Sequence, residues 1–385
     1  MSSQLDQAEM FILHSKCLWC FEPWLHNFTG FLNLVQFATF RKNHSNWIKR
    51  FQSSVPSTCY FLFSPDIGTV SDESMRLGDE AGSESCGTWL AKFHDMGAGT
   101  ASANKAGLRA CRREIWIQTE RFVKGPYHQR ATSAPMSSFK VNCLPDNFRG
   151  DKEGAWHVSV SNQDILHLAW TLGRQGQCVA VLNMACDRTA GGGVARGAGA
   201  QEENLYRRTD ICLETRRQSG WCPHYPLNHE TLVTEAVTLL RGREEDGYPF
   251  LTPAVNITVI SCAAVREPEL DESKRYRDPK TVEHMRNAIR SILLAAKLAQ
   301  CDFLLLSAFG CGAYKNPPMQ VAQIFQQELA RRKLGQVVFC IKEDHNSRQS
   351  WNPSGNFLPF QVLFPGTCCD SYWHGWHCFI CGKRW

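Results

Sequence analysis

The stretch CVAVLN, residues 178–183, is a short apolar run, and AGGGVARGAGAQEENLYRR, residues 190–208, follows it with a glycine loop and a helical pattern. Strand, glycine loop and helix in this order are typical of an open α/β sheet, where loops at the carboxyl ends of strands form the ligand crevice. The glycines favour a phosphate at the helix start, whereas Glu202 and Glu203 would repel one. The stretch therefore predicts an α/β fold and leaves its ligand as a question.

The same order recurs in LSAFGCGAYKNPP, residues 306–318, where Gly310 and Gly312 separate an apolar run from a helix that begins near Pro318. Periodicity predicts further elements around these two loops. They are helices at 109–123, 161–176, 202–217, 280–300 and 318–333, and buried strands at 256–265, 301–309 and 336–342. Strands that alternate with helices predict a mixed, largely parallel sheet covered by helices on both faces.

The helix at 161–176 has the strongest boundary signals, because Ser161 can cap its first turn and Gly173 or Gly176 can end it. Its apolar stripe consists of Ile165, Leu166, Leu168, Ala169 and Leu172. For residues 231–242 the periodicity fits a helix or a strand, and both remain open.

Composition divides the chain into four regions. Residues 1–63 are rich in Trp, Phe and Cys without a clean period, and residues 64–106 are rich in Ser, Gly and Ala. We therefore predict an N-terminal region of unknown fold at 1–63 and a flexible linker at 64–106. A single α/β domain at 107–364 and an aromatic, Cys-rich tail at 365–385 complete the prediction.

The composition of the 385 residues predicts a soluble intracellular protein. A net charge of +5 is small for a dedicated nucleic-acid binder, and no apolar run reaches the length of a membrane helix. The 18 cysteines are scattered, as at Cys178, Cys262 and Cys340, which favours buried, reduced thiols. The first residues lack the positive segment of a secretion signal. We expect a cytoplasmic or nuclear monomer without a membrane contact or a stable protein partner.

The paired carboxylates Glu202 and Glu203 restrict the chemistry of the first loop. Consecutive helical residues point about 100° apart, so the two are poorly placed to flank one bond from opposite faces. Two acids at a helix start also interact favourably with the helix dipole, which requires no function. A general acid at this place therefore needs burial in a crevice to raise its pKa.

Several motifs in sequence order resemble one family. The glycine loop with Gln201, Glu202 and Glu203, the strand-end Asn183, the loop at 306–318 and EDHN at 343–346 are similar to those of the microbial-type poly(ADP-ribose) glycohydrolase catalytic domain. The resemblance extends over about residues 107–364. It implies a three-layer α/β/α, macrodomain-like fold and a ligand that is an ADP-ribose unit at the end of a polymer.

The resemblance also implies residue roles. Glu203 matches the family's catalytic acid, which protonates the leaving ribose oxygen and then deprotonates the attacking water, and Glu202 would hold ribose hydroxyls. Amides of the two glycine loops would face the diphosphate, and neither a metal nor a redox cofactor is implied. The implied substrate-binding residues are Asn183, Gly191, Gly192, Gly193, Val194, Gln201, Gly310, Cys311, Gly312, Ala313 and Tyr314.

One departure from the family pattern lies at the first strand end. Relatives tend to carry Asn-Phe-Ala-Asn, whereas this chain has Asn-Met-Ala-Cys at 183–186. Cys186 therefore replaces an amide side chain, which predicts altered ribose contacts. Gln201, Glu202 and Glu203 are intact, which favours an active domain.

Other candidate residues have competing interpretations. His345 is either a general base or a structural residue, and the Arg pairs 207/208 and 216/217 either attract polymer phosphates or form a solvated helix face. The tail offers possible zinc ligands at Cys368, Cys369, His374, His377, Cys378 and Cys381. A complete zinc site needs a second well-spaced pair, so we predict no metal.

The sequence thus predicts a poly(ADP-ribose) glycohydrolase that breaks ribose–ribose O-glycosidic bonds and releases ADP-ribose. Its partner would be poly(ADP-ribose) or an ADP-ribosylated macromolecule. Two alternatives keep the fold. One is a hydrolase of single ADP-ribose units on protein or nucleic acid, and the other is a non-catalytic ADP-ribose-binding module.

Overall fold

The computed structural model describes residues 101–125, 136–142, 157–216, 224–227, 230–331, 335–343, 347–348 and 352–365. The N-terminal region at 1–63, most of the linker at 64–106, His345 and the proposed zinc ligands of the tail lie outside the described residues. The predictions for those regions therefore stay predictions.

The described residues form seven strands and seven α-helices. In chain order they are α1 (Ala101–Val123), β1 (Ser137–Val141), β2 (His157–Ser161), α2 (Ile165–Gly173), β3 (Val179–Met184), α3 (Gln201–Arg208), α4 (Cys212–Thr215), β4 (Thr231–Arg241), β5 (Phe250–Cys262), α5 (Pro279–Leu298), β6 (Phe303–Leu306), α6 (Pro318–Leu329), β7 (Gln336–Cys340) and α7 (Phe357–Leu363).

The strands form one sheet in the order β1-β4-β5-β3-β6-β7-β2. Neighbours from β5 through to β2 run parallel, and β4 is antiparallel to both β1 and β5. The sheet is therefore mixed and largely parallel, as predicted. For residues 231–242 both helix and strand were open, and the structure shows a strand, since all of β4 lies in this stretch.

Each face of the sheet carries its own apolar core, because alternate side chains of a strand point to opposite faces. In β3, Val179 and Val181 pack on the side of α1 to α4, whereas Ala180 and Leu182 pack on the side of α5 to α7. The same alternation continues in β6 and β7. Two helical layers thus enclose the sheet, and the predicted three-layer α/β/α architecture is confirmed.

Three predicted helix boundaries were wrong. The first helix was predicted at 109–123, but α1 begins at Ala101, inside the predicted linker. Ser161 does not cap α2, because it is the last residue of β2; Asp164 is the N-cap, and its carboxylate accepts the amide of His167 at 2.7 Å. The predicted helix at 202–217 is two helices, α3 and α4, because Thr209 turns into extended backbone and bridges to β4. The apolar stripe of α2 is buried as predicted.

Cys178 was predicted as part of a buried strand, and this was wrong. β3 begins at Val179, and Cys178 is exposed at the entry to the strand, with its Sγ 3.5 Å from that of Cys301. Cys262 and Cys340 are buried as predicted. Among the described residues, no helix has the length and apolarity needed to cross a membrane.

Candidate active site

Three loops meet at the carboxyl edge of the central strands. They follow β3, β5 and β6, which are parallel neighbours and therefore end at the same edge of the sheet. The amide of Ala185 donates to the carbonyl of Cys262 at 2.9 Å, which extends the pairing of β3 and β5 into their loops. The parallel order brings both glycine loops of the sequence to one place.

Gln201 fixes the start of α3 against the end of β3. Its Oε1 accepts the amide of Met184 at 2.9 Å, and its Nε2 donates to the carbonyl of Leu182 at 2.9 Å. Because both ends of the side-chain amide are used by backbone, Gln201 acts here as a brace between strand and helix. Its predicted contact with substrate stays a prediction.

The first glycine loop encloses the two carboxylates of α3. The amide of Gly191 donates to Glu202 Oε1 at 3.0 Å, and the amide of Gly193 donates to Glu203 Oε1 at 2.8 Å. The amide of Cys186 donates to Glu202 Oε2 at 2.8 Å. In this structure the loop amides thus hold the protein's own acids, and the predicted contact of these amides with a diphosphate stays a prediction.

Gly192 lies against both carboxylates. A Cβ atom at this residue would be 2.7 Å from Glu203 Oε1 and 2.9 Å from Glu202 Oε2, and its φ is +49°. Such a close approach and a left-handed backbone both require glycine. Both side chains are buried, with Glu202 4% and Glu203 8% exposed. The burial that a general acid requires at this helix start is therefore present.

The second oxygen of Glu203 has a different environment from the first. Glu203 Oε2 is buried and has no hydrogen-bond partner among the described residues. A buried polar atom without a partner costs about 1–3 kcal/mol, and such atoms concentrate where a ligand or water completes the contacts. The Glu203 carboxyl group is thus held by a hydrogen bond to Oε1, while Oε2 is left without a partner among the described residues.

Burial, and after it the charge of Glu203, raises the pKa of Glu202 to about 8, although the amides of Cys186 and Gly191 favour the ionised form. A carboxyl with this pKa is mostly protonated at neutral pH. The first loop therefore encloses a protonated Glu202 beside the carboxyl group of Glu203.

The second glycine loop presents its amides differently. The amides of Gly312, Ala313 and Tyr314 donate to no acceptor among the residues that the structure describes. The loop is held from below by Asn316, whose Nδ2 donates to the carbonyls of Val265 at 2.7 Å and Gly310 at 3.0 Å. Successive free amides are a typical cradle for an anion.

Two of the predicted residues of the loops are packed inward. Val194 is fully buried in the core beneath the first loop. Cys311 is also buried, burial raises the pKa of its thiol, and its amide donates to the carbonyl of Ala308 at 3.0 Å. These residues shape the loops, and any substrate contact would come from their backbone.

Tyr314 connects the three loops through two residues that the sequence analysis missed. Its hydroxyl donates to Asp187 Oδ1 at 3.1 Å and accepts from Arg266 at 2.7 Å. Arg266 also forms an ion pair with Asp187, and its guanidinium lies 4.3 Å from the centre of the Tyr314 ring. Asp187 and Arg266 are 79 residues apart in sequence and belong to no motif, so no sequence signal could have joined them.

Asn183 and Cys186 lie at and just beyond the end of β3. Asn183 donates to Ser261 Oγ on the neighbouring strand at 3.1 Å, and its Oδ1 is buried without a partner among the described residues. The thiol of Cys186 lies near Arg266, at 3.8 Å from its Nη2. The residue that departs from the family pattern thus lies beside the rim cluster of Asp187, Arg266 and Tyr314.

Helix α1 supports the first loop from behind. A Cβ at Gly197 would be 2.0 Å from the carbonyl oxygen of Arg109, and a Cβ at Gly199 would be 2.1 Å from Arg112 Nη1. Arg112 is in turn fixed by Glu244, with its Nη2 2.7 Å from Glu244 Oε1. The later glycines of the loop are therefore needed for packing against α1.

Both interpretations of the Arg207/Arg208 pair were wrong. The two side chains are buried, not on a solvated face or open to polymer phosphates. Arg208 pairs with Asp164 at 2.8 Å, and Arg207 donates to the carbonyl of Ala198 at 2.7 Å. Because α3 is enclosed on almost every side, the two arginines make their polar contacts with neighbouring parts of the protein. Arg216 lies over the Trp116 ring, and Arg217 is outside the described residues.

Comparisons with known proteins agree with this geometry. Residues 117–235 match the model of the family "Microbial-type PARG, catalytic domain". A search of curated proteins finds no significant match. The part of the chain that the structure describes contains no group of three or more His, Cys, Asp or Glu residues arranged to hold a metal ion.

Solved structures share the fold. Poly(ADP-ribose) glycohydrolase (PARG) from Thermomonospora curvata is 21% identical, with a TM-score of 0.52, and the match covers 66% of this chain and 100% of that chain. The same enzyme bound to the inhibitor ADP-HPD is 20% identical, with the same TM-score of 0.52 and the same coverage of 66% and 100%. The family match over residues 117–235 confirms the resemblance to the microbial-type PARG catalytic domain, and the solved structures confirm the fold.

Proposed function

Because residues 117–235 match the microbial-type PARG catalytic domain, we propose that this protein hydrolyses ribose–ribose O-glycosidic bonds of poly(ADP-ribose) and releases ADP-ribose. One observation carries the proposal. Glu203 is fixed through Oε1 by the Gly193 amide, while its buried Oε2 has no partner among the described residues. This is the arrangement that a general acid/base requires: a held carboxyl with one oxygen free for the substrate.

The proposed reaction uses Glu203 twice. As an acid it gives its proton to the leaving ribose oxygen while the glycosidic C–O bond breaks. As a base it takes a proton from the water that attacks the sugar carbon. The transition state of glycoside cleavage resembles an oxocarbenium ion, so the anionic diphosphate of the substrate would stabilise it.

Glu202 has a supporting role in this proposal. It is held through both oxygens by the amides of Gly191 and Cys186, which leaves it less free than Glu203 to reach a leaving group. Its raised pKa keeps a proton at neutral pH, and a protonated carboxyl can donate a hydrogen bond to a ribose hydroxyl. The free amides at 312–314 would donate hydrogen bonds to the diphosphate.

The test is release of ADP-ribose from labelled poly(ADP-ribose) by the full chain and by Glu203→Gln. We expect the rate to fall roughly 100- to 10,000-fold, the usual contribution of a general acid/base. Binding of free ADP-ribose, measured by calorimetry, should change little because Gln preserves the shape of the side chain. The matched control is Glu283→Gln on α5, an exposed residue on the opposite side of the sheet, which should retain full activity.

Substrate choice separates the proposal from its alternatives. Faster turnover of a singly ADP-ribosylated protein than of polymer would favour the mono-ADP-ribosyl hydrolase. Binding of ADP-ribose with no turnover of either substrate would favour a binding module. Equal turnover by wild type and Glu203→Gln would contradict the role given to Glu203.

A further inference from the structure

The rim cluster of Asp187, Arg266 and Tyr314 joins three loops through contacts between side chains. Asp187 belongs to the loop after β3, Arg266 to the loop after β5 and Tyr314 to the loop after β6. Asp187 directly follows Cys186, whose amide holds Glu202, and Tyr314 carries one of the free amides of the second loop. Arg266 therefore contacts both a neighbour of the amide that holds Glu202 and a residue that carries a free amide.

The guanidinium of Arg266 has N–H donors that its contacts within the protein do not use. It has five N–H donors, and its contacts with Asp187, Tyr314 and Cys186 all involve Nη2. Nε and Nη1 donate to no acceptor among the residues that the structure describes. These two nitrogens carry three N–H groups, and the side chain as a whole is 41% exposed.

The remaining contacts of Arg266 restrict how it can move. Stacking over the Tyr314 ring holds the plane of the guanidinium, and the ion pair with Asp187 holds one edge. A pre-oriented guanidinium loses less conformational freedom on binding than a free arginine.

From these contacts we propose that Arg266 is a substrate-contacting residue that binds a phosphate oxygen of the nucleotide ligand. The inference rests on the proposed function, because that function supplies a ligand with a diphosphate. The unused N–H groups of Arg266 and the free amides at 312–314 would bind the same anionic group from two sides. Asp187 and Tyr314 are then positioning residues, which act by orienting the guanidinium.

The test compares two probes on the full chain by calorimetry, namely ADP-ribose and adenosine. We expect Arg266→Ala to weaken ADP-ribose binding about 10- to 100-fold, the range for one lost charge-assisted hydrogen bond. Adenosine carries no phosphate, so its affinity should stay the same. Arg277→Ala is the matched control, since it removes an exposed arginine that precedes α5 and should leave both affinities unchanged.

A double variant excludes an indirect effect. Removing Arg266 takes away one of the two arginines that pair with Asp187 in the described part of the chain, the other being Arg188, and stronger repulsion of a phosphate by the Asp187 carboxylate could alone weaken binding. In Arg266→Ala/Asp187→Asn this repulsion is absent. We expect the double variant to remain at least about 10-fold weaker than Asp187→Asn alone, whereas full recovery of affinity would overturn the proposal.

The remaining outcomes separate the two proposals. If the wild-type chain does not bind ADP-ribose, the proposed function fails and this inference fails with it. If the wild type binds and Arg266→Ala binds equally well, only the role of Arg266 is overturned. Equal weakening of ADP-ribose and adenosine would also overturn it, because a merely structural arginine would affect both probes.

Discussion

The two glycine loops have the same design in sequence and opposite uses of their amides. In the first loop, the amides of Gly191 and Gly193 donate to Glu202 and Glu203. In the second, the amides at 312–314 donate to no acceptor among the described residues. The difference lies in the helix after each loop, because α3 begins with acids and α6 begins with Pro318. A glycine loop thus provides donors, and the next helix determines whether the protein or a ligand takes them.

The substitution Gly192→Ala should disturb the first loop most. The new methyl would meet both carboxylates, at 2.7 Å and 2.9 Å, in a backbone with φ of +49°. We expect ADP-ribose release to fall about 1,000-fold, because displaced acids lose the geometry that general acid/base catalysis requires. Gly176→Ala is the control for backbone strain, since Gly176 has φ of +77° but open space around it. That variant should lose some stability and keep its activity.

A second experiment examines the protonation of Glu202, which the first loop encloses. Glu202 has a native pKa of about 8 against an ordinary value of 4.5, so the native state binds more protons than the unfolded state between those pH values. The contribution of Glu202 to stability should therefore be greatest below pH 4.5 and fall as pH rises to about 8, by up to about 1.4 kcal/mol per pH unit. Glu202→Gln should remove this contribution, measured by urea unfolding across the range. An unchanged pH dependence would contradict the raised pKa.

A methyl group in the second loop should have a smaller effect, on the affinity for ADP-ribose. Gly312 has no positive φ, and a Cβ there would meet nothing within 4 Å. Gly312→Ala should fold normally, while its methyl intrudes on the space beside the free amides. We expect ADP-ribose affinity to fall about 10-fold, or about 1.4 kcal/mol, in calorimetry. Unchanged affinity together with unchanged stability would show that the ligand does not approach this loop closely.

The sequence predicted the elements with strong periodicity and missed those without it. The buried runs of β3 and β6 and the stripe of α2 were predicted because their apolar residues are continuous or regular. β1 and β2 have five residues each and include polar side chains, so no local pattern separates them from loops. Their positions depend on pairing with β4 and β7 far along the chain.

Residues of the candidate site could be predicted where they lie together in one loop. They could not be predicted where residues of three separate loops come into contact. Glu202 and Glu203 lie in one short stretch, so their role could be proposed from the motif. The contact of Arg266 with Asp187 depends on β3 and β5 being neighbours in the sheet. Arg207 and Arg208 were misread because local charge predicts exposure, whereas tertiary packing gives each a buried partner.

The packing of α1 against the first loop has a practical consequence for where this chain can be shortened. The family match begins at residue 117, inside α1. A piece that started there would lack Arg109 and Arg112, which lie against Gly197 and Gly199. It would retain the whole stretch from 190 to 208 and yet lose the part of α1 that packs against this stretch. The smallest unit able to keep Glu203 in place therefore begins well before the recognisable family sequence does.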